Sequence, residues 1–468
     1  MTACGTPSLL RGCDHDAVAT LEILHWNDVH GRWSGLAQLS ARARTIRESA
    51  PHPVLLLDGG DVEEGSVRLS ALSKGVAGWR MLGAAGVDAA VVGNGGLLRY
   101  GADVLADYAA GLGSAPLICD LEIDGQPLRG TARSRVIPAG DLTVGVIGAT
   151  DYYPQYDVFG LSERGRVTAV RAEAQMLRRQ GADVVVLLSH CSLNADRATS
   201  WALRGKVDLI VGGHSHDVLD EGDLTQGIPI VQAGCFGERL GRVTIQVTAE
   251  GVDVVNVCHE VVDNEWPADQ RVLDELAACE RDLQIWLEQP VAELPAAVGW
   301  QELYDSAIAR LLAGALLSAY PGDVGMVIAG HCTAGLPQGT VTRGDLWAAT
   351  ASPGNAATAT ITGSVLRSMV AKGTSTSYAT TVPRTFRGRP YGALHLAGAE
   401  LRDGELVVGD SPVVDDRRYR VTGSDLELSS YGLLVDIEPE DLVVHAPVIL
   451  PELLEEQLRK QYPTDPSD

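Results

Sequence analysis

Five short polar segments of this 468-residue chain each follow a short apolar run, and this arrangement restricts the fold more than any other feature of the sequence. The apolar runs occupy residues 21–24, 54–57, 89–92, 184–188 and 209–211, and each is typical of a buried strand. Strands of one parallel sheet end at the same edge, where open α/β folds place their sites. The sequence therefore predicts an α/β fold in which residues far apart in the chain meet in one cleft.

The polar segments carry side chains of the types that bind divalent metal ions. The candidate ligands are Asp28, His30, Asp61, Asn94, His190, His214 and His216. Hard divalent cations and first-row transition metals accept carboxylate, imidazole and amide oxygen together. Two ions about 3.5–4 Å apart need a shared ligand, and Asp61, directly after Gly59 and Gly60, is the candidate for it. We expect one ion to be completed by Asp28, His30 and His216, and the other by Asn94, His190 and His214.

Composition and charge limit the partners of the chain. An apolar fraction of 45% and a charged fraction of 21% are typical of a globular protein, and the length predicts more than one domain. The net charge of −24 argues against binding to nucleic acid or to an anionic membrane, so a small anionic substrate would need local positive charge. No apolar run approaches the roughly 20 residues of a membrane span. The first residues lack the pattern of a secretory signal, which predicts a cytoplasmic location.

The order of apolar and helical patterns predicts the domain organisation. In the first half, strand-like runs alternate with helical stretches, most clearly at 34–49 and 170–180, as in a layered sandwich. Residues 228–235, 241–248 and 252–259 have no helix between them and are predicted to form consecutive antiparallel strands. We place a metal-binding domain at 1–262, a linker helix at 263–294 and a smaller α/β domain at 295–468. In the last, a helix is predicted over 301–319 and strands around 324–328, 358–362 and 393–396.

Four of the segments resemble motifs of a known family. Residues 24–32 read LHWNDVHGR and residues 57–66 read LDGGDVEEGS, similar to LHxNDxHGR and DxGDxxxGS. Ser189-His190 with Asp196, and GGHSH at 212–216, resemble SHxGxxxD and GGHSH. These are motifs of calcineurin-like metallophosphoesterases of the 5′-nucleotidase and UDP-sugar hydrolase type. The resemblance implies an N-terminal four-layer αββα sandwich, a helical linker, a C-terminal 5′-nucleotidase-type substrate-binding domain, and two divalent ions (Mn, Zn or Fe) on the ligands named above.

The third motif departs from the family pattern. Where the family has GNHEFDYG, residues 93–101 read GNGGLLRYG. Asn94 is kept, but Gly95 replaces the histidine that acts with the aspartate of this motif as a catalytic dyad beside the metals. In the family that imidazole stabilises the transition state and protonates the leaving oxygen, and such acid catalysis is worth about 10²–10⁴ in rate. Either turnover is impaired, or the leaving group needs no proton, or another acid substitutes. The candidates for a substitute acid are His331, Tyr152 and Tyr153.

The second domain keeps the family scaffold but loses part of its binding chemistry. Residues 339–347, GTVTRGDLW, resemble GxVTxGDLF, and residues 352–355, SPGN, resemble PFGN without its phenylalanine. The loop at 328–337, which stands where the family has NxGGIR, has no arginine. The candidates for binding substrate are Tyr391, Tyr431 and Asn355, since a base needs flat side chains on which to stack. Arg32 is a candidate for added positive charge at the cleft entrance.

Together these features predict an enzyme. The leading hypothesis is a metal-dependent hydrolase of phosphoesters in which a metal-bound hydroxide attacks in line. Its substrates would be nucleotide-like, diester or pyrophosphate compounds with good leaving groups. One alternative is a catalytically impaired relative that acts as a ligand-binding protein. Another is a hydrolase of a sulfur-containing anion.

Overall fold

The computed structural model describes residues 18–224, 227–263, 265–350, 352–383 and 388–464, with the backbone alone at Tyr431. The chain forms two compact units; the first extends to Glu280 and the second begins at Arg281. This division falls within the helix Gln270–Leu287, inside the segment expected to link two domains. The domain boundaries at 262 and 294 remain predictions. No helix in the described ranges is long and apolar enough to cross a membrane.

Strands and helices alternate through most of the first unit. Its strands are β1 (Ala19–Trp26), β2 (Val54–Asp58), β3 (Ala89–Ala90), β4 (Leu121–Ile123), β5 (Gln126–Pro127), β6 (Ser134–Ala139), β7 (Leu142–Thr150), β8 (Leu161–Glu163), β9 (Val184–His190), β10 (Leu209–Gly212), β11 (Ile230–Val231), β12 (Arg239–Thr248) and β13 (Gly251–Val261). Its helices are α1 (Trp33–Ser49), α2 (Arg68–Leu72), α3 (Val76–Ala85), α4 (Asn94–Tyr100), α5 (Leu105–Leu112), α6 (Arg166–Arg179), α7 (Leu193–Ala202) and the boundary helix α8 (Gln270–Leu287). The helices expected over 34–49 and 170–180 are confirmed as α1 and α6.

The five strands that precede the polar segments lie in two sheets rather than one. The first sheet has the order β13-β12-β1-β2-β3, and the second has the order β11-β10-β9-β7-β6. The expectation of a single parallel sheet is therefore wrong, because apolar runs mark strands as buried without telling which sheet each one joins. Segment 228–235 differs as well: only Ile230–Val231 is a strand, and it pairs in parallel with β10.

The two sheets share one apolar core, which is what brings the ends of their strands together. Leu21 and Leu55 of the first sheet cluster with Val144, Val186 and Val211 of the second, all buried. On the other face of the second sheet, side chains of β9 pack against α6 in a separate core. Helix α1 contacts β2 and β12 of the first sheet. The predicted layered α/β sandwich is confirmed.

The second unit is built around a mixed sheet with the order β18-β15-β22-β17-β23. Its strands are β14 (Pro290–Leu294), β15 (Val324–Ile328), β16 (Gly339–Thr342), β17 (Asn355–Thr362), β18 (Leu394–Ala397), β19 (Ala399–Arg402), β20 (Glu405–Val408), β21 (Ser411–Pro412), β22 (Arg418–Ser424) and β23 (Val443–Ile449). Its helices are α9 (Ala307–Ala319), α10 (Arg343–Ala349), α11 (Gly363–Gly373), α12 (Thr376–Ala379), α13 (Asp425–Leu428) and α14 (Leu450–Gln461).

Two expected helices are shorter than predicted. The helix expected over 301–319 begins at Ala307, because the amide of Ser306 donates to the His395 ring at 2.8 Å instead of extending the helix. Residues 263–294 were expected to form a linker helix, but the helix ends at Leu287. The residues after it form β14, which pairs with β16.

Candidate metal centre

Five of the predicted ligands have a backbone conformation that non-glycine residues rarely adopt. The φ angles of Asp28, His30, Asp61, His214 and His216 are 53°, 46°, 52°, 73° and 60°. Such conformations cost about 1–3 kcal/mol each and persist where the surrounding structure enforces them, often at functional sites. All five lie just beyond the carboxyl ends of β1, β2 and β10. The loops are thus held in shapes that direct these side chains into one cleft.

Asp28, His30 and His216 form the first ligand cluster, with one ligand atom of each within 4.8 Å of the others. The Nε2 atoms of His30 and His216 lie 3.2 Å apart. They lie 3.5 Å and 3.3 Å from Asp28 Oδ1. This oxygen is buried and accepts no hydrogen bond from the described residues. Two imidazole nitrogens and a carboxylate oxygen that face one another suit a shared cation.

Asp61, His190 and His214 form the second cluster. Nε2 of His190 lies 3.4 Å from Asp61 Oδ2 and 3.1 Å from Asn94 Oδ1. The other ring nitrogen, Nδ1, is 2.7 Å from the carbonyl oxygen of Gly59, to which it can donate its hydrogen. A histidine held in this way presents an unprotonated Nε2 to a metal ion.

The charge balance of the second cluster also favours a cation. Burial lowers the pKa of His190, but the Asp61 carboxylate outweighs burial and raises this pKa to about 10. The buried carboxylates therefore attract positive charge strongly. A divalent ion satisfies the same demand as a proton on the imidazole.

Glycines let the backbone approach the ligands. A Cβ atom on Gly60 would lie 2.6 Å from His190 Nδ1, and one on Gly93 would lie 2.1 Å from Asp61 Oδ1. Gly95 is different, since a Cβ atom added there would lie 3.2 Å from the same Asp61 oxygen. A shift of a few tenths of an ångström by either group would relieve this contact. The amide of Gly95 donates to this oxygen at 2.8 Å. The position that lacks the histidine is therefore directly beside the proposed bridging carboxylate.

Glu63 and Tyr108 occupy the space next to Gly96. A Cβ atom on Gly96 would lie 2.6 Å from the Tyr108 hydroxyl and 3.1 Å from Glu63 Oε1. That carboxylate is buried and accepts a hydrogen bond from Trp79 Nε1 at 2.5 Å. Burial, followed by the charge of Asp61, raises the pKa of Glu63 to about 7. The glycine at position 96 is thus required by packing against the Glu63 loop.

Two side chains lie at the rim of the cleft: the positively charged Arg32, which was predicted, and the aromatic Phe236, which was not. The guanidinium of Arg32 is exposed and lies 5.1 Å from the centroid of the Phe236 ring. That ring lies 5.7 Å and 5.6 Å from the rings of His30 and His216. Phe236 follows neither a strand-like run nor a motif, so only the tertiary structure identifies it.

Of the two tyrosines named as substitute acids, one reaches the metal centre. The hydroxyl of Tyr153 lies 3.0 Å from His214 Nε2. Tyr152 instead donates a hydrogen bond to Asp157. Because Tyr153 engages Nε2 of His214, Nδ1 is the nitrogen left for a metal ion.

The predicted residues of the second unit have mainly internal contacts. His331 is 2% exposed, with Nδ1 2.6 Å from Ser352 Oγ and Nε2 3.0 Å from Glu427 Oε1. Both ring nitrogens are satisfied, which suits a structural role better than proton donation to a substrate. Tyr391 is 1% exposed, and its ring stacks on that of Tyr378 at 4.9 Å, so it offers no free face to a base.

Asn355 begins β17 and donates from Nδ2 to the carbonyl oxygen of Val448 at 3.1 Å. The side chain of Tyr431 lies outside the described residues. A cavity of about 120 Å³ lies beside the loop that lacks the family arginine, and Trp300 and Arg389 are among its lining residues. Trp300 was not predicted, because a single tryptophan in an irregular segment carries no pattern.

Comparison with known families identifies both parts of the chain. The sequence model of calcineurin-like phosphoesterases matches residues 21–218, and that of the 5′-nucleotidase C-terminal domain matches residues 291–432. The chain joins a calcineurin-like metallophosphoesterase domain to a 5′-nucleotidase C-terminal domain. The predicted family and fold class are confirmed. Calcineurin-like phosphoesterases bind divalent metal ions, in agreement with the two ligand clusters.

One relative matches most of the chain. The metallophosphoesterase YunD of Bacillus subtilis is 26% identical over 428 residues, which cover 87% of this chain and 89% of YunD. The chain spans only about half the length of the animal 5′-nucleotidases and apyrases that it matches. Membership of a class of hydrolytic enzymes is thus confirmed.

Solved structures show the same fold. A 5′-nucleotidase precursor of Thermus thermophilus is 18% identical, with a TM-score of 0.52 and coverage of 95% of this chain and 97% of that one. The sulfate thiohydrolase SoxB of the same organism is 21% identical, with a TM-score of 0.50 and coverage of 94% of each chain. At these identities the likeness is one of fold alone.

Proposed function

We propose that the first unit binds two divalent metal ions and hydrolyses phosphoesters whose leaving groups depart without a proton donor. The observation that carries this proposal is the pair of three-residue clusters at the strand ends of two stacked sheets. The proposed ligands are Asp28, His30, His216 and Asp61 for one ion, and Asp61, Asn94, His190 and His214 for the other. All are carboxylate, imidazole or amide groups, which suit Mn, Zn or Fe.

Bound divalent ions would supply positive charge to phosphoryl oxygens and acidify water. The residues of the chain orient the ligands of these ions and add positive charge at the rim of the cleft. The carbonyl oxygen of Gly59 fixes the orientation of the His190 ring, and the Gly95 amide fixes that of the Asp61 carboxylate. Arg32 adds positive charge at the rim, where an anionic substrate enters a protein with a net charge of −24.

Gly95 determines which substrates suit this cleft. A glycine cannot protonate a leaving alkoxide, so the site favours diesters with acidic leaving groups or pyrophosphate-type bonds in nucleotide-like compounds. Of the three residues named as substitute acids, Tyr153 is the one whose hydroxyl lies at the ligand clusters, 3.0 Å from His214 Nε2. Burial, together with the charge of Asp151, raises the pKa of this phenol, so it stays protonated at neutral pH. A cytoplasmic location remains a prediction.

The same glycine supports a second candidate function, a ligand-binding protein that keeps its metals without turnover. A hydrolase of sulfur-containing anions is a further possibility within the fold, but no described residue selects sulfur over phosphorus. The two main candidates make different predictions about turnover and the same prediction about metal binding.

The test begins with chelation, reloading with Mn²⁺ and measurement of metal content. Hydrolysis is then compared on bis(4-nitrophenyl) phosphate and 4-nitrophenyl phosphate, with Asp61→Ala and His214→Ala as site variants. Asp253→Ala, an exposed position on β13, is the control. Two bound ions with diester turnover in the wild type support the hydrolase, and both site variants should lose metal. Two ions without turnover would favour the binding protein, and no bound metal would contradict both.

A further inference from the structure

Arg99 is an arginine close to the metal centre that the proposed function does not use. It lies four residues after Gly95 on the short helix α4, whose first residue is the proposed ligand Asn94. Side chains four residues apart lie on the same face of a helix, one turn from each other. Arg99 therefore lies one helical turn beyond Gly95, on the same face of α4, and Gly95 is the position at which the family has its histidine.

The guanidinium of Arg99 packs against the loop that carries Asp61. A Cβ atom on Gly65 would lie 2.2 Å from Arg99 Cζ, so the guanidinium lies directly over this glycine. The residue before it, Glu64, has Oε2 3.8 Å from His30 Nδ1. Arg99 is thus held on the side of the cleft formed by the loops of Asp61 and His30.

Arg99 has donors to spare for a ligand. Its side chain is half-buried, and no hydrogen bond or ion pair joins it to another described residue, although its charge helps to lower the pKa of the nearby Glu64 carboxyl. Arg166, by contrast, forms ion pairs with Asp120 and Asp151. A guanidinium carries five N–H donors in a plane that matches phosphate oxygens.

The chemistry of a guanidinium complements the loss of the histidine. It stabilises an anion but keeps its proton, because a guanidinium does not deprotonate in proteins. Such a group binds best a leaving anion that presents two oxygens to its plane, and it does little for an alkoxide. A phosphate leaving from a phosphoanhydride meets this description.

We propose that Arg99 binds the leaving phosphate and makes this cleft selective for phosphoanhydrides, an inference that rests on the proposed hydrolase function. In the reaction the oxygen of water forms a bond to one phosphorus atom. The bridging P–O bond breaks, and its electron pair stays on the leaving phosphate oxygen, beside Arg99. The proton of the water is released to solvent.

Kinetics of Arg99→Met test the proposal with ADP and bis(4-nitrophenyl) phosphate as substrates. The variant should lose about 10- to 100-fold in kcat/KM for ADP, the range expected for one charge-assisted contact to phosphate. For the diester the loss should stay below about threefold, since a nitrophenolate spreads its charge into the ring and lacks the paired phosphoryl oxygens that a guanidinium binds. Arg179→Met, an exposed arginine in the last turn of α6, should match the wild type on both substrates. Added guanidine should partly restore ADP hydrolysis by Arg99→Ala.

Binding gives a readout that is independent of turnover. Methylenediphosphonate should bind about tenfold more weakly to metal-loaded Arg99→Met than to the wild type in calorimetry, with metal content unchanged. Equal losses on both substrates, or unchanged binding, would overturn the role of Arg99. A wild type that hydrolyses neither substrate would refute the hydrolase instead, while the binding comparison would still decide whether Arg99 contacts phosphate.

Discussion

Gly93 and Gly95 offer a stringent test of the geometry around Asp61, because alanine should be damaging at the first position and nearly neutral at the second. Gly93 has φ −82° and ψ 179°, which any residue adopts, so alanine adds no backbone strain there. Its Cβ atom, however, would approach Asp61 Oδ1 to 2.1 Å and the Asp61 amide nitrogen to 2.5 Å. At Gly95 the approach to the same oxygen is 3.2 Å.

The size of the effect follows from these distances. Ordinary contact begins at 3.4 Å, so Gly93→Ala must displace the Asp61 oxygen by about 1.3 Å, the difference from 2.1 Å. Metal ligands tolerate about ±0.2 Å, and a misplacement of 1 Å in an active site costs about 10² in rate. Overpacking of this kind also lowers the free energy of unfolding by about 1–3 kcal/mol. Gly95→Ala requires a shift of only a few tenths of an ångström.

The assay combines metal content after dialysis, thermal unfolding and turnover of bis(4-nitrophenyl) phosphate. Gly93→Ala should lose bound metal and at least about 10² in rate, whereas Gly95→Ala should keep both metals and stay within about threefold of the wild type. If Gly93→Ala retains metal and rate as well as Gly95→Ala does, the packing of this loop against Asp61 is not as described.

Three further perturbations test separate parts of the centre. Gly95→His should raise turnover of alkyl phosphomonoesters by at least about tenfold over Gly95→Ala in steady-state assays, because it supplies a proton donor beside Asp61; no gain would show that the missing imidazole does not limit the rate. Tyr153→Phe should weaken Mn²⁺ binding by about 10- to 100-fold in a chelator competition, since His214 loses its partner, whereas Tyr152→Phe should not. Burial and the charge of Asp61 raise the pKa of Glu63 from 4.5 to about 7, so the folded protein holds a proton that the unfolded chain releases. The free energy of unfolding of the protein should therefore fall by up to about 3 kcal/mol as the pH rises from 4.5 to about 7. In denaturant titrations, Glu63→Gln should abolish the contribution of this carboxyl to that pH dependence.

The sequence predicted the fold and the meeting of the ligands because both depend on local patterns. Buried strands such as 54–57 and 184–188 are continuous apolar runs, and the polar residues after them mark the edge at which the strands end. The division of these strands between two sheets was not predictable, since it depends on which backbones pair. Strand pairing is a long-range property that apolar runs do not record.

Side-chain environments were predictable only where a motif fixes them. His331 stands in a loop that matches a substrate-binding loop by position, yet Ser352 and Glu427 enclose it in the second unit. Phe236 and Tyr153 reach the metal centre from irregular segments, and of the two only Tyr153 was named from the sequence. Their positions follow from loop conformations that no periodic pattern encodes.

Anomalous diffraction from crystals soaked in Mn²⁺ tests the central claim most directly. The account predicts two peaks about 3.5–4 Å apart, one among Asp28, His30 and His216 and the other among Asp61, His190 and His214. Asp61 should contact both peaks. A single peak, or peaks outside these two clusters, would contradict the account.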